Sequence, residues 1–167
     1  MSFILLFVFG LLTSSLALLS EFLIISILSL SLNFGNIFSL SMLFSLFILA
    51  SIEELMKGVL LFRYRNGAIF RKKAPLSRLT KIVYALFFGI GFSLLEGLFS
   101  FQTDTTLSLL PFLQTTLLHI GTSALLIEAF LSSEQEATTL FSRRNVWYVS
   151  SAIGIHLLFN IIVFFQV

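Results

Sequence analysis

Runs of apolar residues separated by short polar stretches cover almost the whole sequence, and they constrain the fold more than any other feature. A helix that crosses a bilayer needs about 20 apolar residues, and most of the runs approach or exceed that length. Hydrophobic residues make up 57% of the chain and charged residues only 11%, against about 25% charged residues in an ordinary soluble domain. The sequence therefore predicts an all-α, polytopic transmembrane helix bundle, with residues 1–167 forming a single domain.

We predict about six membrane spans, with five as the alternative. The apolar run at residues 3–32 is interrupted by Ser20 and Glu21. One straight helix of that length would reach about 45 Å, which exceeds the thickness of the hydrocarbon core. We therefore favour two segments, residues 3–19 and 22–32, over a single tilted helix. After a turn signal at residues 33–36, the remaining segments are residues 37–62, 82–101, 107–131 and 146–165.

The basic residues are concentrated in one stretch, because seven of the ten Lys and Arg fall between Arg63 and Lys81. In a soluble protein such a run would suggest a nucleic-acid site, but here it lies between two apolar segments. The positive-inside rule assigns residues 63–81 and residues 132–145 to cytoplasmic loops. We predict a multi-pass protein of the cell membrane, embedded in the lipid bilayer and without a nucleic-acid partner. The absence of cysteine excludes disulfides, thiolate metal sites and cysteine nucleophiles.

Several ionisable residues lie deep within the predicted spans. Such a group at mid-bilayer costs at least ~2.5–3.5 kcal/mol, so its presence indicates a function. At 1.5 Å per residue, four of these groups lie about 12–18 Å from a membrane surface: Glu53, Glu96, His119 and His156. Lipid offers them no partner, so we expect four helices to turn them toward one another. We expect Glu128 to reach the interface and four other acidic residues to lie in solvated loops, namely Glu21, Asp104, Glu134 and Glu136.

Spacing places the polar residues of each segment on one helix face. Glu53 precedes Lys57 by four residues, which is the favourable order for a helical ion pair, and Glu54 precedes it by three. Two adjacent carboxylates in lipid are rarely both ionised, and Lys57 would balance the charge of one. His119 shares a face with Ser123, and His156 with Asn160. We also expect glycines to let helices approach closely, at Gly89, Gly91, Gly97, Gly121 and Gly154.

Four short patterns resemble the motifs of a known family. Residues 53–57, EELMK, resemble the EExxK motif of the PrsW-type intramembrane proteases. Residues 84–96, a glycine-containing helix that ends in GFSLLE, resemble that family's second motif, and LHIGTS and HLLFN at residues 118–123 and 156–160 resemble the third and fourth. The family is related to the CAAX prenyl protease and bacteriocin-processing group, which shows EExxxR and FxxxH. Lys57 and Glu96 fit the PrsW branch better.

The resemblance implies an endopeptidase embedded in the membrane, with a catalytic core at about residues 50–165. Its partner would be a membrane-anchored protein or peptide substrate, and no cofactor is expected. Glu53 would act as the general base toward water, with Glu54 structural or sharing the proton. Asn160 would donate to the oxyanion. The remaining site residues would orient the water, the substrate carbonyl or one another, with His119, His156 and Glu96 in catalytic positions and Lys57 and Ser123 in support.

Three alternatives remain open from the residues alone. A zinc ion held by nitrogen and oxygen ligands would use Glu53, Glu96, His119 and His156. A small ion-coupled transporter could use the same midplane groups as a proton relay, although the sequence shows no internal repeat. A non-catalytic membrane protein that binds a partner would use the polar groups only to fix helix packing.

Overall fold

The computed structural model describes residues 2–28, 40–66, 76–103, 109–131 and 141–164. In these ranges the chain forms five α-helices: α1 (Ser2–Leu28), α2 (Leu40–Asn66), α3 (Arg78–Thr103), α4 (Leu109–Leu131) and α5 (Arg143–Phe164). The predicted all-α bundle is confirmed. The predicted turn at residues 33–36 lies outside the described residues, and so do residues 67–75 and 132–140 of the two predicted cytoplasmic loops, Asp104, Glu134 and Glu136.

The first helix is continuous through Ser20 and Glu21, so the division of residues 3–32 into two segments is wrong. The hydroxyl of Ser20 donates to the carbonyl of Leu16 at 2.8 Å. In water, a polar residue such as serine favours a break in the helix. In lipid no competing partner is present, so its hydroxyl forms its hydrogen bond within the helix instead. A helix of 27 residues is about 40 Å long and can fit a bilayer by tilting. Six spans are not confirmed.

Four of the helices are long and apolar enough to cross a membrane, over Phe3–Ile27, Arg78–Phe99, Leu109–Leu131 and Arg143–Val163. The outer surface of the bundle is apolar, with Ile4 70% and Phe22 68% exposed. The side chains of Glu54 and Lys57 on α2 are fully buried instead. Soluble proteins show the reverse distribution, so this arrangement is consistent with a membrane protein.

The helices form a ring in the order α1, α3, α4, α5 and α2, and α2 also contacts α4 across it. A buried apolar cluster fills the ring toward the C-terminal end of α2, with Leu61, Phe88, Leu126 and Phe130 among its members. Leu61 lies one helical turn after Lys57. The apolar cluster therefore closes the bundle on one side of the buried polar residues.

Charged residues join four helices at one end of the bundle. Glu128, near the end of α4, accepts from Lys81 at 2.8 Å and from Arg144 at 3.3 Å. Arg65, near the end of α2, donates to the carbonyl oxygen of Phe130 at 3.0 Å. Both basic loops therefore leave the same end of the bundle, which the positive-inside rule requires of two cytoplasmic loops. Glu128, predicted to reach the interface, is paired at this basic end.

Close helix packing occurs at some of the predicted glycines and not at others. A Cβ atom on Gly89 would lie 2.7 Å from the backbone of Ile120, so α3 and α4 touch there. A Cβ on Gly91 would meet the backbone of Phe7 in α1. Nothing in the described part of the structure lies within 4 Å of such an atom on Gly121 or Gly154. The prediction of close approach is wrong at these two positions, because their helix faces point away from neighbouring helices.

We expect Gly89→Ala to lower the free energy of unfolding by about 1–3 kcal/mol, because the added methyl group meets backbone atoms that cannot move aside cheaply. Gly121→Ala is the matched control, since it adds the same methyl group to open space on the facing helix. It should be neutral or stabilising by up to ~1 kcal/mol, the gain in helix propensity. Reversible unfolding in mixed detergent micelles measures both, and equal losses in the two variants would contradict the packing.

Candidate active site

Lys57 lies at the centre of a buried polar cluster between α2, α3 and α4. Its ammonium group donates to Glu54 Oε1 at 2.7 Å and to Thr122 Oγ1 at 3.2 Å, and it contacts His119 Nδ1 at 2.8 Å. An ammonium group has three hydrogens, so these acceptors use all of them. The ring of Phe92 lies below the charge, with its centroid 4.2 Å from Nζ. The hydrogens of Lys57 are therefore all directed at acceptors within the protein.

Glu54 links this lysine to the fifth helix. Its Oε1 atom lies 2.8 Å from His156 Nδ1. An ionised carboxylate only accepts, so Nδ1 carries the hydrogen and the lone pair of the imidazole is on Nε2. Nε2 lies 3.8 Å from Glu53 Oε1, which is too far for a direct hydrogen bond but close enough for one water to contact both atoms.

His119 is fully engaged on both sides of its ring. Lys57 has no acceptor, so His119 Nδ1 accepts from it and Nε2 carries the hydrogen. Nε2 contacts a carboxylate oxygen of Glu96, which thereby receives that hydrogen. His119 thus connects α2, α3 and α4 and has no free ring nitrogen. Of the two histidines, only His156 presents a free nitrogen toward Glu53.

The structure brings six of the predicted site residues together, and no hydrogen bond in the described part of the chain joins the other two, Ser123 and Asn160, to them. The cluster contains Glu53, Glu54, Lys57, Glu96, His119 and His156. Ser123 is fully buried, and its hydroxyl has no partner in the described part of the chain. Asn160 is half-buried one turn after His156, and no hydrogen bond joins its amide to another described residue.

Two members of the cluster were missed in the sequence. Thr122 accepts from Lys57 and lies three residues after His119, a spacing that could have shown that both share a face. Glu21 lies within α1, its Oε1 is buried without a hydrogen-bond partner in the described part of the chain, and its electrostatic neighbours are Glu53, Glu96 and Lys57. The prediction that it lies in a solvated loop is wrong, because α1 does not break there. The sequence does contain a signal for Glu21, because it is the one ionisable side chain that precedes Glu53 in an otherwise apolar stretch.

The cluster contains a set of donors that could bind a metal ion. Glu53, His119 and His156 each offer one ligand atom, and these atoms lie within 4.8 Å of one another. Two histidines and a glutamate form a known catalytic zinc ligand set. However, the nitrogens of His119 already contact Lys57 and Glu96. An ion on Nδ1 would take the place of the Lys57 ammonium group, and an ion on Nε2 would break the contact with Glu96. An ion bound through His119 would therefore replace one of its two present contacts.

Comparisons of the chain with known protein families, with curated proteins and with solved structures give no match. The similarity to PrsW-type proteases therefore consists of the four short patterns, and the geometry of the cluster is the basis for a functional interpretation.

Proposed function

We propose that the protein is an intramembrane endopeptidase that hydrolyses membrane-anchored protein substrates with a water activated between Glu53 and His156. The observation that carries the proposal is the contact of Glu54 Oε1 with His156 Nδ1, which leaves Nε2 facing Glu53 Oε1 at 3.8 Å. A base beside a second polar group that is held in orientation by a third group is the arrangement that activates a nucleophile. Here the base is Glu53, the second group is His156 and the third is Glu54. With α2 as a fifth span, the site would lie inside the cell membrane.

In the proposed mechanism, a single water molecule donates two hydrogen bonds, one to Glu53 and one to His156 Nε2. Its oxygen attacks the carbonyl carbon of the scissile peptide bond while Glu53 takes one proton as general base. The oxyanion that forms accepts a hydrogen bond from the amide of Asn160. Glu53 then returns the proton to the leaving nitrogen, the C–N bond breaks, and the products are an amine and a carboxylic acid, which releases its remaining proton to solvent and becomes a carboxylate.

The surrounding groups keep these two residues in position. Glu54 fixes the tautomer and ring orientation of His156, and Lys57 fixes Glu54. His119 on α4 accepts from Lys57 and donates to Glu96 on α3, so the hydrogen bonds extend from α2 to both helices. Groups that are held in place before substrate binds lose little free energy to reorganisation in the transition state.

The proposal is tested with the purified protein in liposomes that contain single-span test peptides, in water enriched in ¹⁸O. We expect a cleaved peptide whose new C-terminal carboxylate contains one ¹⁸O atom, as hydrolysis requires. Exhaustive chelation should leave the rate unchanged if Glu53 acts without a metal, whereas a loss restored by added zinc would favour the zinc site. Liposomes that show no cleavage but a Glu53-dependent ion flux would instead favour the transporter.

A further inference from the structure

A groove of about 240 Å³ lies between α2 and α5, outside the buried polar cluster. Leu55 and Val59 of α2 and Val149 and Ile153 of α5 line it, and a single serine is the one polar side chain of its lining. The groove opens to the surface of the bundle, because Leu55 is exposed. In a membrane, this surface faces lipid chains rather than water.

The groove exists where α2 has no side chain to fill the space beside α5. Gly58 is part of its lining, and so is Phe130 of α4. A Cβ atom on Gly58 would lie 3.1 Å from the ring of Phe130. An apolar gap that stayed empty would forfeit the dispersion contacts of the atoms around it. A hydrocarbon chain from the bilayer would restore those contacts without burying a polar group.

Two exposed arginines follow the two walls of the groove toward the basic end of the bundle. Arg63 lies four residues after Val59 on α2, and Arg143 lies three residues before Val146 on α5, so each shares a helix face with the lining of the groove. Neither arginine forms an ion pair with another described residue, since the ion pairs at this end involve other side chains. An anion at this end of the groove would meet two uncompensated positive charges.

We propose that the groove binds one acyl chain of an anionic phospholipid, whose phosphate group is held by Arg63 and Arg143. Basic pockets between helices at the cytoplasmic side of a membrane suit anionic headgroups, because each arginine near the surface attracts them. The chain of such a lipid runs inward from its headgroup, parallel to the helices, as the groove does from Val146 to Ile153 over about 10 Å. This site does not depend on the proposed cleavage activity.

The inner end of the groove borders the candidate active site, which makes a substrate segment the competing occupant. Leu55 directly follows Glu54, and Ile153 lies one helical turn before His156. The two arginines favour the lipid. Membrane proteins usually carry their own Lys and Arg at the cytoplasmic end of a span, and these would be repelled by Arg63 and Arg143.

Native mass spectrometry of the full-length protein in detergent tests the headgroup preference, with phosphatidylglycerol and phosphatidylcholine of identical chains as probes. We expect one phosphatidylglycerol to bind about 10–30-fold more tightly than phosphatidylcholine, and Arg63→Gln or Arg143→Gln to weaken its binding about fivefold each. Arg78→Gln is the matched control, because Arg78 is exposed at the same end but begins α3, which does not line the groove. Equal binding of the two lipids, or an equal loss in Arg78→Gln, would overturn the proposal.

Filling the groove tests where the acyl chain binds. Ser150 lines the groove and its neighbour Ser151 does not, although both are exposed on α5, so the same substitution can be made at each without disturbing the core. We expect Ser150→Phe to weaken phosphatidylglycerol binding about tenfold, the equivalent of nearly two buried methylene groups, and Ser151→Phe to leave it unchanged. Thermal unfolding in detergent checks that both variants fold.

Unchanged phosphatidylglycerol binding in Ser150→Phe would overturn the lipid site. If the same variant then raised the KM for a single-span test peptide, the groove would be assigned to the substrate instead. A wild type that cleaves no peptide would contradict the proposed function, while the lipid measurements would still decide the occupant of the groove.

Discussion

Glu53→Gln is expected to lower the rate of peptide cleavage by about 10²–10⁴-fold, the usual contribution of a general base. An amide has nearly the shape of a carboxylate but cannot take a proton from water. The contacts of Glu54 with Lys57 and His156 do not involve Glu53, so the cluster should keep its arrangement in the variant. The measurement is the initial rate of cleavage in liposomes, with protein folding checked by thermal unfolding in detergent.

Glu128→Gln is the matched control for this result. It makes the same change of carboxylate to amide within a helix, but Glu128 is paired with Lys81 and Arg144 at the basic end of the bundle. Its cleavage rate should stay close to that of the wild type. If Glu53→Gln cleaved as fast as Glu128→Gln, Glu53 could not be the base.

Lys57→Met is expected to destabilise the protein by about 3–5 kcal/mol, because removing one partner of a buried ion pair leaves the other charge uncompensated. Both side chains of the pair with Glu54 are 0% exposed and 2.7 Å apart. The same substitution removes the donor to His119 Nδ1 and to Thr122. Unfolding of the purified variant in mixed micelles measures the loss.

Lys81→Met provides the comparison, because it also removes a lysine from an ion pair with a glutamate. In the pair of Lys81 with Glu128 the side chains are 23% and 36% exposed, so solvent screens the charges and the loss should not exceed ~1 kcal/mol. The double variant Lys57→Met with Glu54→Gln should be more stable than Lys57→Met alone, because no carboxylate is left unpaired. Equal stability of Lys57→Met and Lys81→Met would mean that Lys57 is not buried as described.

The meeting of Glu53, Glu96, His119 and His156 could be predicted because lipid leaves an ionisable group no other partner. Depth along each helix follows from the rise per residue, so residues at one level on different helices can be matched from the sequence. The interpretation of Glu21 is wrong for a different reason. Its loop assignment rests on the polar interruption at Ser20 and Glu21 and on the length of one helix over residues 3–32, but a serine hydroxyl can bond within its own helix and a long helix can tilt.

The pattern of hydrogen bonds inside the cluster could not be derived from the sequence. Glu53 and Glu54 are neighbours, and only the rotation of α2 against α5 decides that Glu54 contacts His156 Nδ1 while Glu53 faces Nε2. The glycines show the same limit, because Gly89 and Gly121 are equally small but only Gly89 faces a neighbouring backbone. Relative helix rotation is set by the packing of many side chains and has no local signal.

A double-mutant comparison of cleavage rates tests whether Glu53 and His156 act on the same water molecule. Groups that act as a unit have strongly non-additive effects, since removing either one already disables the step. We predict that Glu53→Gln, His156→Gln and the double variant all cleave at about the same residual rate. If the two losses multiply in the double variant, Glu53 and His156 act independently, and the site does not activate a water between them.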